Sequence, residues 1–420
     1  MVSHAQRPRR AVIVSASVGA GHDGAAAELA RRFELAGFEV DRHDFLDLLP
    51  PTLGPITRRS YKVALRLMPG SWEWLLERID HGHGLWSGAS GLAGLARRRT
   101  RRATAAEPTV VVSTYPLASQ VLGQLRESGR LSAPVITFLT DMSVHPLWVH
   151  PQVDLHLALH EVAAAQARAH GAGDIRIAGP AVRPIFAPVA PDDRAELRER
   201  FLLPQADRLA LVVAGSWGVG EIEESVRDIA ATGLATPVVA CGRNRALASR
   251  IRRSGVGHAV GWTSDMPALI NACDVVVQNA GGLTSLEALT CGVPVITYRC
   301  LVGHGRMNAE ALDRSGWAPW VTEPADLPEA LHRALYADAR VTPFTAADPV
   351  ETAIRVVAPD AEDAAVRLET ALRAERPTVA AARSTLDAAV TDPAAPTDPA
   401  RLTDPAAVTT DVMSRTRAPA

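Results

Sequence analysis

Short apolar segments alternate with amphipathic stretches along most of the chain, and the series occurs twice. In the first series, strands are predicted at Ala11–Ser15, Phe38–Arg42, Thr109–Ser113, Val135–Leu139, Leu155–Leu159 and Ile175–Ala178. In the second, they are predicted at Leu209–Ala214, Pro237–Ala240, Asp274–Gln278 and Pro294–Tyr298. The predicted helices include Gly24–Leu35, Leu117–Glu127, Glu221–Ala231, Met266–Ala272, Leu283–Thr290 and Met307–Arg314. This alternation predicts an α/β protein of two doubly wound, Rossmann-like domains that face a ligand-binding cleft.

Changes in composition suggest where the domains end. At Ala187–Asp193, two prolines and the lack of a helical period predict a linker rather than a helix. Domains are therefore expected at residues 1–187 and 194–345. Residues 346–420 are rich in Ala, Pro, Thr and Asp, with one return helix predicted near Val350–Val357. Beyond about Arg376 a disordered tail is expected, because so few large apolar side chains cannot offset the entropy of ordering.

The composition disfavours several classes of protein. A formal net charge of −2 disfavours a nucleic-acid-binding protein. No apolar run approaches the roughly 18 residues of a membrane-spanning helix, and Ala11–Val14 is too short for the core of a signal peptide. The four cysteines form no Cys-x-x-Cys pair and are expected to be free thiols in a reducing compartment. We therefore expect a cytoplasmic protein that at most lies on a membrane surface.

A turn of small residues follows the first predicted strand and leads directly into a helix. It reads Ser15-Ala-Ser-Val-Gly-Ala-Gly-His22. Small residues let a ligand approach the backbone, and a helix N-terminus offers N–H groups. His22 is placed at the mouth of the cleft, where a histidine can act as a general base near neutral pH. A tight turn that leaves His22 exposed without a catalytic role explains the same pattern.

Two glycine-containing turns in the second half are candidate sites for phosphate. Gly215 and Ser216 follow one predicted strand, and Gly281 and Gly282 follow another. Glycines at a helix N-terminus suit a phosphate group. Within the helix after the second turn, Thr284 and Glu287 are three residues apart and share one face, where a carboxylate can accept both hydroxyls of a ribose. Plain turns with a capping threonine remain the alternative interpretation.

Two polar loops complete the candidate site. Asp141 and His145 follow a predicted buried strand, so their side chains are expected at its carboxyl end, either as an acid–base pair or as loop-stabilising groups. His304, Arg306 and Asn308 lie where a loop enters a helix and can reach sugar hydroxyls or a charged sugar. The first turn of an amphipathic helix explains this second pattern equally well.

No metal site is expected, because the sequence has no Asp-x-Asp and no His/Cys cluster with metal-ligand spacing. A membrane surface is a candidate partner. Ile56–Asp80 mixes basic with aromatic and aliphatic residues, and a basic run follows at Arg97–Arg102. Cations beside interfacial aromatic residues favour docking on anionic lipid, whereas a helix packed on its own domain is the alternative.

Together these motifs resemble the family of monogalactosyldiacylglycerol synthases and processive diacylglycerol glucosyltransferases, which is related to the N-acetylglucosaminyltransferase that makes lipid II. The resemblance covers most of Ala11–Asp338 and rests on the turn at His22, Thr140-Asp141 with His145 and Trp148, and Gly179-Pro-Ala-Val-Arg-Pro-Ile-Phe186. Gly215-Ser216 and Gly281-Gly282 with Glu287 also fit it.

The resemblance implies a GT-B fold, a UDP-sugar donor held mainly by the C-terminal domain, an acceptor-binding N-terminal domain, and inverting transfer without a metal. By position, Gly215, Ser216, Gly281, Gly282 and Thr284 would face the diphosphate. Glu287 would face the ribose, Val260 beside Trp262 would lie near the base, and His22 would lie at the active site. The chain departs from the family at Gly303-His-Gly305-Arg306, where related enzymes have Gln in a loop that contacts the sugar, so the donor sugar stays open.

The sequence is therefore interpreted as a peripheral, cytoplasmic hexosyltransferase that moves a sugar from a UDP-sugar to a lipid such as diacylglycerol, on the inner face of the cell membrane. His22, or the Asp141/His145 region, would deprotonate the acceptor. The alternatives are a UDP-sugar 2-epimerase, a glycosyltransferase for a small soluble acceptor, and a non-catalytic nucleotide-sugar-binding protein. An epimerase would show no dependence on an acceptor, and a binding protein would not need His22.

Overall fold

The computed structural model describes residues 8–17, 20–54, 57, 85–213, 220–301, 303–336 and 342–375. The predicted disordered tail beyond Arg376 lies outside the described residues, as do Gly215 and Ser216. The basic and aromatic segment Ile56–Asp80 also lies outside them, apart from Thr57.

Parallel strands form the first sheet. They are β1 (Arg10–Ser15), β2 (Glu39–Asp44), β3 (Val110–Ser113), β4 (Val135–Phe138), β5 (Leu155–Ala158) and β6 (Ile175–Ile177). The order is β2-β1-β3-β4-β5-β6, with Val12 of β1 paired to Asp41 on one side and Val111 on the other. The direction of winding changes between β1 and β3. Ligands bind beyond the carboxyl ends of the strands at such a switch point.

Helices cover this sheet on both faces. In the described residues they are α1 (Ala20–Leu35), α2 (Phe45–Leu48), α3 (Leu85–Ala103), α4 (Pro116–Glu127) and α5 (Glu161–Ala169). Every residue of β3, β4 and β5 is buried, as expected for parallel strands with helices on each side. Phe45 and Leu122 pack with Val12 and Val14 of β1 in one apolar cluster. The switch point is therefore built on a rigid core.

The second sheet is also parallel. Its strands are β7 (Leu209–Val213), β8 (Thr236–Ala240), β9 (His258–Val260), β10 (Val275–Gln278), β11 (Val295–Tyr298) and β12 (Trp320–Val321). The order is β12-β11-β10-β7-β8-β9, so the switch point lies between β7 and β10. The helices described here are α6 (Pro191–Arg200), α7 (Ile222–Ala231), α8 (Arg245–Ser254), α9 (Met266–Ala272), α10 (Leu283–Thr290), α11 (His304–Arg314) and α12 (Leu327–Leu335).

The chain then returns to the first half through α13 (Pro349–Val357) and α14 (Glu362–Glu375). Arg32 of α1 holds this crossing. Its guanidinium donates to Asp348 at 2.7 Å, to Glu28 at 2.7 Å and to the carbonyl oxygen of Val182 at 2.8 Å. Arg32 and Glu28 are buried. The segment that leaves the first half and the helix that returns to it are thus both bound to α1.

The predicted class, two doubly wound α/β sheets, is confirmed, and the structure differs from the prediction in several details. The linker predicted at Ala187–Asp193 contains the start of α6, because Pro191 occupies the first turn, where a missing N–H costs nothing. The short edge strands β9 and β12 were not predicted. The helix α14 was not predicted either, although it buries Ala364, Ala365 and Leu368. The boundaries 1–187, 194–345 and 346–420 stay predictions.

Candidate active site

His22 lies in the first turn of α1, at the switch point of the first sheet. Its Nδ1 is 2.9 Å from the carbonyl oxygen of Thr114, which follows β3. The same atom is 2.9 Å from the hydroxyl oxygen of Thr140, which follows β4. A carbonyl oxygen only accepts, so the contact with Thr114 places the ring proton on Nδ1 and the basic lone pair on Nε2.

Trp148 brings the other two candidate catalytic residues close to His22. Its indole nitrogen donates to the carboxylate of Asp141 at 3.0 Å. Its ring centre lies 5.9 Å from that of His22 and 6.2 Å from that of His145. Trp148 and His145 are buried, and Asp141 is partly exposed. His22, Asp141 and His145 therefore surround one buried indole, as their predicted places at strand ends require.

The turn after β10 is held by a buried glutamine. The side-chain oxygen of Gln278 accepts from the N–H groups of Ala280, at 2.7 Å, and Gly281, while its amide donates to Thr297 at 2.8 Å. Gly281 has a φ of +69°, a conformation that favours glycine. Gly282 is exposed and precedes α10 with no side-chain cap. The first N–H groups of α10 are thus presented at the second switch point, where a phosphate can bind.

Glu287 lies one turn into α10 and is partly buried, and it accepts no hydrogen bond at its carboxylate from the part of the chain that the structure describes. Desolvation raises the pKa of this carboxyl to about 7, and the positive charge of Arg183 opposes the rise. A partly desolvated acceptor of this kind is suited to a ligand that brings hydroxyl groups.

The two helix N-termini meet. A Cβ atom on Gly24 of α1 would lie 2.8 Å from the side chain of Leu283, the first residue of α10. The absence of a side chain at Gly24 therefore lets α1 approach α10 closely, so that His22 and Glu287 belong to one cleft between the sheets. Arg183 lies on the segment that leaves the first half, and its charge acts on Glu287.

Asn308 of α11 lies between the halves rather than at an open surface. It is 1% exposed, and its side-chain oxygen accepts from the N–H and the hydroxyl of Ser143, at 3.0 and 2.9 Å. Arg306 is exposed on the same helix, and His304 is its first residue. Gly305 packs against the backbone of Asn279, where a Cβ would lie 3.2 Å from the carbonyl oxygen.

Val260 ends β9, next to the loop of Trp262. Its carbonyl oxygen accepts from the N–H of Cys241 at 2.8 Å. Trp262 is 56% exposed, and the guanidinium of Arg243 stacks 4.0 Å from its ring centre. A flat aromatic surface at the end of this sheet is available to a nucleotide base.

The structure brings most of the predicted site residues to the two switch points, and it shows contacts of further residues to which the sequence assigned no role. Thr114, Thr140 and Trp148 orient the candidate base, Gln278 shapes the glycine turn, and Arg183 faces Glu287. Thr114 and Thr140 each follow a buried strand, the same signal that selected Asp141. Gln278 carried no signal, because a glutamine inside an apolar strand gives no indication of its partners.

Two further expectations concern a metal and the membrane. Among the described residues, no group of three or more His, Cys, Asp and Glu side chains is arranged to hold a metal ion, and the expected absence of a metal stays a prediction. Of the helices in the same part of the chain, none combines the length and apolar character needed to cross a bilayer.

Known proteins match either the first half of the chain or most of its length. Residues 22–181 match the family model described as monogalactosyldiacylglycerol (MGDG) synthase. A processive diacylglycerol beta-glucosyltransferase of Bacillus cytotoxicus is 26% identical over 354 residues, which cover 79% of this chain and 86% of the relative. One from Bacillus cereus is 25% identical over 333 residues, covering 76% of this chain and 83% of the relative. The chain is a glycosyltransferase, and its residues 22–181 are similar to the monogalactosyldiacylglycerol synthase family.

Solved structures agree on the fold of this glycosyltransferase. MurG of Acinetobacter baumannii superposes with a TM-score of 0.53 at 15% identity, covering 83% of this chain and 99% of that one. A Medicago truncatula protein crystallised with UDP-glucose gives a TM-score of 0.51 at 12% identity, covering 88% and 99%. The predicted GT-B fold is therefore confirmed.

Proposed function

We propose that this glycosyltransferase moves a hexose from a UDP-sugar to the hydroxyl group of a lipid such as diacylglycerol, with inversion at the anomeric carbon. The observation that carries the proposal is the meeting of two helix N-termini across the cleft. One presents His22, oriented by Thr114 and Thr140, and the other presents the Gly281-Gly282 turn and Glu287. The curated relatives, whose names specify diacylglycerol, support the choice of acceptor.

His22 is proposed as the general base. With its proton on Nδ1, Nε2 takes the proton of the acceptor hydroxyl, and the hydroxyl oxygen forms a bond to the anomeric carbon. The bond from that carbon to the β-phosphate oxygen breaks, and UDP leaves with the electron pair. Asp141 is assigned to hold Trp148, whose ring packs near His22, through the 3.0 Å hydrogen bond.

The second sheet is proposed to hold the nucleotide. The first N–H groups of α10, and Gly215 and Ser216 outside the described residues, would bind the diphosphate, because a helix N-terminus favours negative charge. Thr284 lies in the same first turn. Glu287 would accept the ribose hydroxyls, and the base would lie near Val260 and Trp262. His304 and Arg306 are proposed to face the donor sugar, and no metal is assigned a role.

A membrane surface is proposed as the place of the reaction, with the protein attached peripherally on the cytoplasmic side. Helix α3 supports this. Arg97, Arg98, Arg101 and Arg102 are exposed on it, and Leu95 is 50% exposed. Guanidinium groups beside an exposed apolar side chain suit an anionic lipid surface.

A transfer assay tests the function. Purified protein is incubated with UDP-glucose, UDP-galactose, UDP-N-acetylglucosamine or UDP-glucuronic acid, each with and without detergent-dispersed diacylglycerol. The proposal predicts one glycolipid product, and UDP release that depends on the lipid. Interconversion of UDP-sugars without lipid would instead identify an epimerase. Transfer to soluble alcohols but not to diacylglycerol would contradict the lipid acceptor.

A further inference from the structure

Asn308 links the glycine turn of the second sheet to the catalytic loop of the first. On one side, a Cβ on Gly281 would lie 2.8 Å from the Cβ of Asn308, so the turn and this side chain are packed together. On the other side, the oxygen of Asn308 accepts both hydrogen bonds from Ser143. The two residues are 165 positions apart in the chain and belong to different sheets.

Ser143 occupies the middle of the loop that carries Asp141 and His145. The next residue, Val144, donates its N–H to the side chain of Gln166 on α5 at 2.9 Å. The loop is therefore fixed to its own half at Val144 and to the other half at Ser143. Ser143 and Asn308 are both buried, so water does not compete for these hydrogen bonds while the halves are together.

We propose that Asn308 is a positioning residue whose bridge to Ser143 forms when the two halves close, and that the bridge places the catalytic loop for reaction. The inference rests on the proposed function and assigns to Asn308 a role other than contact with the donor sugar. When the halves separate to release UDP, both hydrogen bonds break and the loop loses its second anchor. Catalysis is thereby limited to the closed arrangement.

A double-mutant cycle tests the bridge. Asn308→Ala removes the acceptor of both hydrogen bonds, so kcat is expected to fall about tenfold or more, since each buried bond contributes measurably. Ser143→Ala removes one of the two bonds and is expected to lower kcat a few-fold. In the double variant, Ser143→Ala is expected to add no further loss, because its partner is already absent. Because closure retains UDP, the Kd of UDP is expected to rise by no more than the factor by which kcat falls.

Two matched variants complete the cycle. Asn308→Asp keeps an oxygen that accepts from Ser143 and is expected to retain most of the kcat that Asn308→Ala loses. Ser225→Ala removes a buried hydroxyl whose hydrogen bond among the described residues is local, to the carbonyl oxygen of Glu221 at 2.9 Å, and is expected to leave kcat unchanged. If Ser143→Ala is silent, or if the two losses simply multiply, the bridge is contradicted.

Small-angle scattering provides a readout that needs no acceptor. Wild-type protein with UDP is expected to be more compact than Asn308→Ala with UDP, because the bridge favours closure. Equal radii of gyration for the two proteins would contradict the proposal. If the wild type transfers no sugar to any lipid, the proposed function fails, whereas the comparison of radii still decides whether the bridge forms.

Discussion

One ring nitrogen of His22 makes the contacts that orient the side chain. Thr114 and Thr140 lie 92 and 118 positions away in the sequence, and both are within 2.9 Å of Nδ1. A proton held there leaves Nε2 as the atom that takes up a proton from an acceptor. The proposed role as a general base requires this tautomer, whereas a histidine that is merely exposed in a tight turn does not.

Substitution of His22 tests this role. His22→Ala is expected to lower kcat by about 10²–10⁴, the usual contribution of a positioned base. His22→Asn keeps polarity and approximate size but takes up no proton near pH 7, so an equally large loss is expected. Steady-state rates and calorimetry with UDP measure both effects, and the Kd of UDP is expected to stay nearly unchanged. High activity in the Asn variant would assign the base to the Asp141/His145 region instead.

The proposed contact of Glu287 with the ribose predicts that nucleotide binding depends on pH. Its pKa of about 7 in the free protein means that the carboxyl is partly protonated near neutrality. Ribose hydroxyls donate best to the ionised form, so UDP binds more weakly as the pH falls below about 7. Glu287→Gln is expected to bind UDP at least tenfold more weakly at pH 8, since a charge-assisted hydrogen bond is worth about 1.5–3 kcal/mol. The UDP dissociation constants of Glu287→Gln and of wild type are measured between pH 5.5 and 8. Their ratio cancels the effect of protonation of UDP itself, which is the same for both proteins. A constant ratio would contradict the assignment.

The same carboxyl destabilises the free protein at high pH. Its pKa rises from about 4.5 to about 7 on folding, so folding favours the protonated form. The stability that this proton uptake contributes is complete below about pH 4.5 and is lost as the pH rises through 7. Without nucleotide at pH 8, the free energy of unfolding of Glu287→Gln, measured with urea, is therefore expected to exceed that of wild type by about 2–3 kcal/mol. At pH 5 the two free energies are expected to be nearly equal. A variant less stable than wild type at pH 8 would show that the carboxylate has a partner in the free protein.

At the scale of the elements, the start of β10 is set by a buried charge. Asp274 accepts from Arg198 at 2.7 Å, from the N–H of Leu209 at 2.8 Å and from Arg194 at 3.1 Å. Arg198 also donates to the carbonyl oxygens of Ala272, Gln205 and Asp207. This network joins α6 to the first residues of β7 and β10, at the edge of the sheet opposite the cleft.

Asp274→Ala is expected to reduce stability by about 3–5 kcal/mol, because it leaves the buried guanidinium of Arg198 without its counter-ion. Arg208→Ala provides the control. Arg208 is 47% exposed and lies 3.4 Å from the same carboxylate, so its removal should cost less than about 1 kcal/mol. Urea unfolding monitored by tryptophan fluorescence measures both. Similar losses in the two variants would contradict the central role of Arg198.

How far the sequence predicts the fold depends on the length of each element. The strands β1 and β7 contain continuous apolar runs of four and five residues, which are long enough to indicate buried strands. The strands β9 and β12 have three and two residues, too few for a period, and pair only at the edges of the second sheet. Helix α6 begins at Pro191. A proline in a sequence usually indicates that a helix ends, but it is also favoured in the first turn of a helix.

The candidate site was predicted at its strand ends but not in its connections. Glycines, His22 and Glu287 stand out because a strand runs directly into a helix beside them. The hydrogen bonds that Ser143 donates to Asn308, and the one that the Trp148 indole donates to Asp141, depend on which residues the fold brings together. Sequence patterns carry no information on such pairs, so the contact of Asn308 with Ser143 was not predicted, and its contact with a donor sugar stays a prediction.

For the whole molecule, the distribution of arginines predicts how it meets a membrane. Replacing Arg97, Arg98, Arg101 and Arg102 with Ser is expected to weaken binding to anionic vesicles, at about 1 kcal/mol for each charge near the surface. Binding should also fall as salt rises, since screening acts over about 10 Å at 0.1 M. The control replaces four exposed arginines of α8, Arg245, Arg250, Arg252 and Arg253, and should bind as wild type. Vesicle sedimentation measures both, and equal losses would show a non-specific charge effect.

Arg32 binds α1 to the place where the chain crosses between the halves, through Asp348 and the carbonyl oxygen of Val182. His22 lies on the same helix, ten residues or about 15 Å away. A rotation of one half by about 10° about Arg32 would displace the opposing wall of the cleft by about 2.6 Å relative to His22, given the distance of about 15 Å between the two residues. That is nearly the length of a hydrogen bond. Small rotations about a remote salt bridge are thus sufficient to bring the proposed base into or out of contact with an acceptor.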